Sequence, residues 1–351
     1  MNDMRQILED SVVRLFSEQV DREVLTRIEE TGWPDDLWRQ VDELGICQVL
    51  AAEAAGGADG VWADAYPIVR ACGHYALPLP VPETITAVWL ARQADCMLPA
   101  GVPGLIPEVL DAGDVHANSL SLDGVVIPWG RRADYLIGVA DINGAAELIV
   151  VSAAGASIEQ AANLGLDPRD AVSGRSLEIE ARYALDLPAD VIHWIGAMLR
   201  AAQIAGAGAA CLELAVNYAA EREQFGRSLS RFQAIQHYLA DLAGTMASVD
   251  AIAAAAFEAL DRSGISNGQR DARFEIAAAK CRASEAVERL TRLSHQVHGA
   301  IGFTYEYGLH FLTRKLWAWR AEFGGAGEWG EYLGTVAFES GGDGIWQTIT
   351  G

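Results

Sequence analysis

Between Ile195 and Val216 the chain is apolar on nearly every face that a helix would present, and a helix of that kind has to be buried. Arg200, Gln203 and Glu213 interrupt it, at positions that a buried soluble helix can turn outward. Further on, Leu214, Tyr218, Phe225, Leu239, Leu242, Met246, Val249 and Ile252 have the spacing of one or two long amphipathic helices, and Ala272 to His298 reads as another. Long helices joined by short loops pack as a bundle, here a four-helix type that is expected to form an oligomer core. No run reaches the ~20 uninterrupted apolar residues of a membrane span, so no membrane partner is expected.

The texture before the bundle has two parts. Leu8, Val12, Leu15 and Phe16, then Leu37, Val41 and Leu44, follow helical spacing, with Gly45 as a stop. Gly56-Gly57 breaks the next segment, and Pro78-Leu79-Pro80-Val81-Pro82 reads as an extended connector. From about 103 the runs shorten: Val125-Val126-Ile127, Tyr135 to Val139 and Leu148 to Val151 are strand-like, with Asn143-Gly144 as a hairpin turn. Leu177 and Ile179 alternate with charged residues in a further strand. The expected fold is mainly α with a middle β domain: a helical domain over 1–102, a small β-barrel or sandwich over 103–188, and a helical bundle over 189–351.

A net charge of −22, with no cluster of Lys and Arg, argues against a nucleic acid or an anionic membrane as partner. The polar, acidic N-terminus shows no signal-peptide core, and Cys47, Cys72, Cys96, Cys211 and Cys281 are scattered. A cytoplasmic protein with small buried cysteines is expected. The seven histidines show no metal-ligand spacing, and His295 and His298 read as core or surface residues. Gly325-Ala326-Gly327-Glu328-Trp329-Gly330 fits G-x-G-x-x-G but follows a helix, so it is not read as a dinucleotide fingerprint.

Two segments of the bundle carry the chemistry. The first is Arg222-Glu223-Gln224-Phe225-Gly226 with Phe232-Gln233-Ala234-Ile235-Gln236, and the second is Gln296-Val297-His298-Gly299-Ala300-Ile301-Gly302-Phe303-Thr304. Arg222 offers a planar fork of donors suited to a pyrophosphate, where a solvated surface Arg is the bland alternative. Gln296 can donate and accept, which suits an adenine edge or a ribose. Gly299, Ala300 and Gly302 admit close backbone approach, to a ligand or to another helix.

In order and spacing these segments resemble the acyl-CoA dehydrogenase family. The N-terminal Trp33-Pro34, Leu37-Trp38, Glu43-Leu44-Gly45, Gly56-Gly57 and Pro80-Val81-Pro82-Glu83-Thr84 are similar too. The resemblance implies that Arg222, Gln224, Phe225, Gln233, Gln296, Gly299 and Ala300 contact the adenosine and pyrophosphate end of an FAD bound by a neighbouring subunit.

The pattern is incomplete elsewhere. The family's segment of the Thr-Glu-Pro-x-x-Gly-Ser-Asp type has no counterpart between Leu98 and Ser121, and its Trp-Ile-Thr segment is matched only by Ile127-Pro128-Trp129-Gly130. Removal of an α-proton needs a carboxylate in reach of the α-carbon. The family's two base positions fall on Phe323 and Gly196, and the Arg that usually follows the second is Ala197. Glu322, one residue off, is the fallback base, with a solvated loop carboxylate as its bland reading. Glu306 and Arg314 are expected to be a helix-start acid and its surface partner.

The resemblance therefore implies the base-lacking subunit of a heteromeric acyl-CoA dehydrogenase of the steroid-degrading type. The expected assembly is a heterotetramer with a second acyl-CoA dehydrogenase-like subunit, an acyl-CoA substrate with a bulky sterol-like tail, and an electron-transfer acceptor. A flavin monooxygenase of the same fold and a non-catalytic scaffold are the alternatives.

Overall fold

The computed structural model describes residues 2–266 and 271–350. Five helices come first: α1 (Asn2–Gln19), α2 (Arg22–Thr31), α3 (Asp35–Glu43), α4 (Trp62–His74) and α5 (Val81–Gln93). Asp21 caps α2 by accepting from the Val24 amide at 2.8 Å. Gly45, just past α3, has a left-handed φ of 63°, which accounts for the stop at that residue. The proline run is only partly a connector. α5 starts at Val81, so Pro82 lies in its first turn, where a missing N–H costs nothing.

Seven strands follow: β1 (Pro103–Leu105), β2 (Leu110–Asp111), β3 (Ser119–Pro128), β4 (Tyr135–Ile142), β5 (Ala145–Ser152), β6 (Ser157–Glu159) and β7 (Arg169–Ala184). They form one curled sheet in the order β1-β4-β5-β7-β3, with β2 on β4 and β6 on β7. β1 and β2 run parallel to β4, and the other pairs are antiparallel. Asn143 and Gly144 both have positive φ, 56° and 87°, as the two-residue hairpin between β4 and β5 requires. Both faces of the sheet's middle are buried. Leu136, Ala140, Ile149 and Val151 point into a core of the sheet's own, whereas Tyr135, Ile137, Val139, Leu148 and Val150 join the main core among the helices.

The remainder is α6 (Val191–Glu221), a two-strand hairpin of β8 (Glu223–Gln224) and β9 (Arg227–Ser228), α7 (Gln233–Ser263), α8 (Arg273–His298), α9 (Leu309–Ala321) and α10 (Ala326–Thr350), the last interrupted at Gly341. α6 and α8 run in the same direction: Trp194 meets the Arg273 guanidinium at 5.3 Å near their starts, and Tyr218 stacks on His298 at 4.8 Å near their ends. α7 runs back, as the pairs Arg289–Asp241, Arg282–Ser248 and Arg262–Glu275 show. α4 crosses α6 with almost no gap, because a Cβ on Gly206 would fall 1.9 Å from the Arg70 carbonyl oxygen.

Further sequence expectations change. Arg200 and Gln203 do not turn outward but are buried, 2% and 5% exposed, and only Glu213 faces solvent. Phe225 is not on a helix; it sits at the turn between β8 and β9 with φ 54°. Arg314 pairs with Glu29 of α2 rather than with Glu306. By length and composition α6 and α7 are each apolar enough to cross a membrane. The most apolar window of α6 is 89% buried inside the protein, and that of α7 is 28% buried. Small residues, Ala240, Gly244, Ala247, Ala251 and Ala255, line the uncovered side of α7.

Candidate functional site

The bundle brings the candidate residues to one of its ends. α6 finishes at Glu221, α7 begins at Gln233 and α8 finishes at His298, all at the same end because α7 is antiparallel to the other two. A buried knot holds them there. Beneath the Tyr218 stack, His298 Nδ1 bonds the Ser294 carbonyl at 2.7 Å, His298 Nε2 is 3.1 Å from the Tyr307 hydroxyl, and that hydroxyl donates to the Leu214 carbonyl. His298 is thus a core residue.

Arg222, Gln224, Phe225, Gln233, Gln296, Gly299 and Ala300 are all exposed around this end. Among the described residues, no hydrogen bond or ion pair engages the side chains of Arg222, Gln224, Gln233 or Gln296. Phe225 is 90% exposed, held edge-on to Phe232, over which the Arg227 guanidinium lies at 4.1 Å. Gly299 has φ 64°, and a Cβ there would meet nothing within 4 Å. Its freedom serves an open surface rather than a helix contact. Gly302 is the opposite case: a Cβ would come within 3.1 Å of His295, His298 and Leu309. Unspent donors, an aromatic ring and an open backbone shoulder fit the phosphate and adenosine end of a dinucleotide. Trp129, in the segment that the resemblance compares with the family's Trp-Ile-Thr segment, is buried, with its ring on Trp33 at 5.5 Å.

The other end of the bundle holds Phe323 and Gly196, the two residues that the resemblance sets at base positions, and they touch. α9 ends into a turn in which Phe323 has φ 54° and Gly324 has φ 85°. The Phe323 ring lies on α6 at Gly196, where an added Cβ would fall 2.4 Å from ring carbons. The turn is tied down from several sides. Trp329 Nε1 donates to the Phe323 carbonyl at 3.0 Å, and Lys280 Nζ donates to the Gly324 carbonyl at 2.7 Å.

Glu322 is not a solvated loop residue. Arg169 of β7 grips its carboxylate with two N–H groups at 2.9 Å, Asn163 donates at 2.8 Å and Arg200 Nε at 2.7 Å. Burial alone would push this carboxyl up. The Arg169 and Arg200 charges and the Arg169 and Asn163 hydrogen bonds outweigh it and hold Glu322 well below the usual carboxylate range. Arg200 continues the network, to Glu83 of α5 at 2.6 Å and to Gln203 at 2.5 Å. Glu83 belongs to the N-terminal helices, Arg169 and Asn163 to the sheet region, and Arg200 and Glu322 to the bundle, so this network joins all three parts of the chain.

The sequence reading missed Arg200 and Glu83. The signal was present: a charge inside a helix that is apolar on every face has only protein to face, so it must find buried partners. Among the described residues, no three His, Cys, Asp or Glu side chains group as metal ligands.

Comparison with known proteins agrees with this fold. Residues 195–328 match the family described as acyl-CoA dehydrogenase, C-terminal domain. The chain is 28% identical over 319 residues to acyl-CoA dehydrogenase IpdE2 of Mycobacterium tuberculosis, covering 89% of this chain and 90% of that one. In fold it is similar to the ChsE4-ChsE5 complex of Mycobacterium tuberculosis, with a TM-score of 0.82 and 20% identity over 95% of this chain and 97% of that one. The Tcur3481-Tcur3483 steroid ACAD G363A variant gives a TM-score of 0.81 at 23% identity over 96% and 98%.

Proposed function

We propose that the chain is a member of the acyl-CoA dehydrogenase family and, within it, the base-lacking subunit of a heteromeric, FAD-dependent enzyme. One relationship carries the reading: the bundle end near Arg222 leaves four hydrogen-bonding side chains unspent, while the opposite end fills both base positions with a phenyl ring and a glycine. In this role Arg222 pairs with the pyrophosphate, Gln296 and Gln233 read the adenosine, and Gly299 and Ala300 let the dinucleotide lie against backbone. Bound FAD supplies the hydride acceptor of α,β-dehydrogenation. The partner provides the flavin-ring pocket and the carboxylate that takes the α-proton.

Two features support a dedicated donor. Phe323 carries no titratable group, and Glu322 is committed to two arginines, so neither can act as base. The uncovered small-residue side of α7 suits a second subunit of the same fold. The likeness to a ChsE4-ChsE5 complex and to a steroid ACAD supports a heteromer acting on an acyl-CoA with a bulky sterol-like tail.

Co-expression with the neighbouring reading frame, followed by an absorption spectrum of the purified complex, tests this. The expected result is a yellow assembly with one FAD per pair of chains and little flavin on this chain alone. A yellow homotetramer with one FAD per chain would refute the donated half-site. An assembly that stays colourless with the partner would leave a scaffold role instead.

A further inference from the structure

Arg227 lies in the midst of the exposed residues around Arg222, yet the resemblance does not name it. The β8–β9 hairpin pairs Gln224 with Arg227 and Glu223 with Ser228. Residues paired across a hairpin share a face, and neighbours along a strand alternate between faces. Gln224 and Arg227 therefore stand side by side, and the acid Glu223 turns the other way. Arg222 joins the first two, because its backbone is extended and it comes two residues before Gln224. The Leu229 amide donates to the Arg222 carbonyl at 2.9 Å, which carries the pairing back to that residue.

The guanidinium of Arg227 already has a seat. It lies over the Phe232 ring, 4.1 Å from the centroid, and Phe225 closes edge-on against the same ring at 6.2 Å. Stacking uses the face of a guanidinium and leaves its N–H edge free. Among the described residues, no carboxylate or carbonyl takes those N–H groups. In a chain with 48 acidic side chains, they are donors left for an outside anion. Phe232 also directly precedes α7, a helix of 31 residues that no side chain caps. The free amides of its first turn add their positive end beside the ring.

We infer that Arg227 is a second phosphate-binding residue of the donated half-site: seated on Phe232, it takes one phosphate of the FAD pyrophosphate while Arg222 takes the other. A pyrophosphate presents two anionic groups, and one planar fork can grip only one of them with two bonds. Two forks on one face of a hairpin, with Gln224 between them, supply the pair.

The inference rests on the half-site reading, and the test separates the two. Arg227 and Arg231 are both exposed, so their substitution leaves the fold intact. In the co-expressed complex, Arg227→Gln should weaken FAD retention about tenfold, read as flavin fluorescence released on dilution. Arg231→Gln removes the same charge from the same end and should leave retention within about twofold. In the chain alone, adenosine diphosphate should shift the Nε–Hε resonances of Arg222 and Arg227 together, assigned through Arg222→Ala and Arg227→Gln, and adenosine should shift neither. If Arg222 responds in these experiments and Arg227 does not, the second phosphate contact is wrong and the half-site stands. If neither responds, both readings fall. Equal losses from the 227 and 231 variants would mean that net charge is read rather than a placed fork. A shift of Arg227 with adenosine would put the guanidinium on the base. Either result overturns the assignment.

Discussion

The ring of Phe323 rests on Gly196, and these are the two residues that the resemblance sets at the base positions. The ring fills the space that a side chain at 196 would need. Gly196→Ala should push a methyl group into the ring, which is anchored by the Trp329 bond to its own carbonyl. Such overpacking costs about 1–3 kcal/mol. Adding Phe323→Ala should recover part of the loss, which thermal unfolding of the single and double variants measures. Equal unfolding temperatures for Gly196→Ala and the natural chain would show that the contact is loose.

Glu322→Gln removes the one carboxylate shared by Arg169 and Arg200, leaving their charges buried and under-compensated. The expected loss is roughly 3–5 kcal/mol of stability. Turnover per folded complex should stay within a few-fold of the natural value, and abolished turnover with FAD still bound would make Glu322 a base after all. The pH sign follows from a carboxyl held below its ordinary 4.5. Its contribution is fully present above pH 4.5 and declines in acid, so the gap between variant and natural chain should narrow as pH falls.

Arg222→Ala in the co-expressed complex should weaken FAD retention by about 10- to 100-fold, the equivalent of a charge-assisted bond of roughly 1.5–3 kcal/mol. Arg222→Lys should fall between, since an ammonium lacks the two-pronged geometry. Flavin released on dilution, followed by fluorescence, reads both. Unchanged retention in the Ala variant would leave only the fold resemblance standing.

An amine-acylating reagent should modify neither Lys280 nor Lys315 in the native chain and both after denaturation, because each ammonium is enclosed. Peptide mass spectrometry gives the answer. Rapid native labelling of Lys280 would mean that the turn beyond α9 opens readily.

The order of helices, sheet and bundle was readable because each part has its own period: 3.6 residues in the helices, 2 in strands such as β4 and β5. Asn143-Gly144 announced its hairpin by turn chemistry alone. The exposed residues near Arg222 were readable as a set because they lie in two short segments. The buried charges were not. Glu83, Arg169, Arg200 and Glu322 are scattered through the chain, and a charge's direction depends on what packs against it. Glu322 looks like any loop acid until Arg169, on a distant strand, is brought to it. Lys280 is hidden for the same reason, since its partners are carbonyls that every residue possesses.

Arg200 has one more consequence, for the way the chain comes apart. It holds Glu83 of the first helices in one hand and, through Glu322, Arg169 of the sheet in the other. Releasing any one part strands a charge in the other two. Heating should therefore produce one cooperative transition rather than three, with calorimetric and van't Hoff enthalpies in agreement. Brief proteolysis should yield intact protein or small peptides, and no surviving fragment that corresponds to the bundle alone.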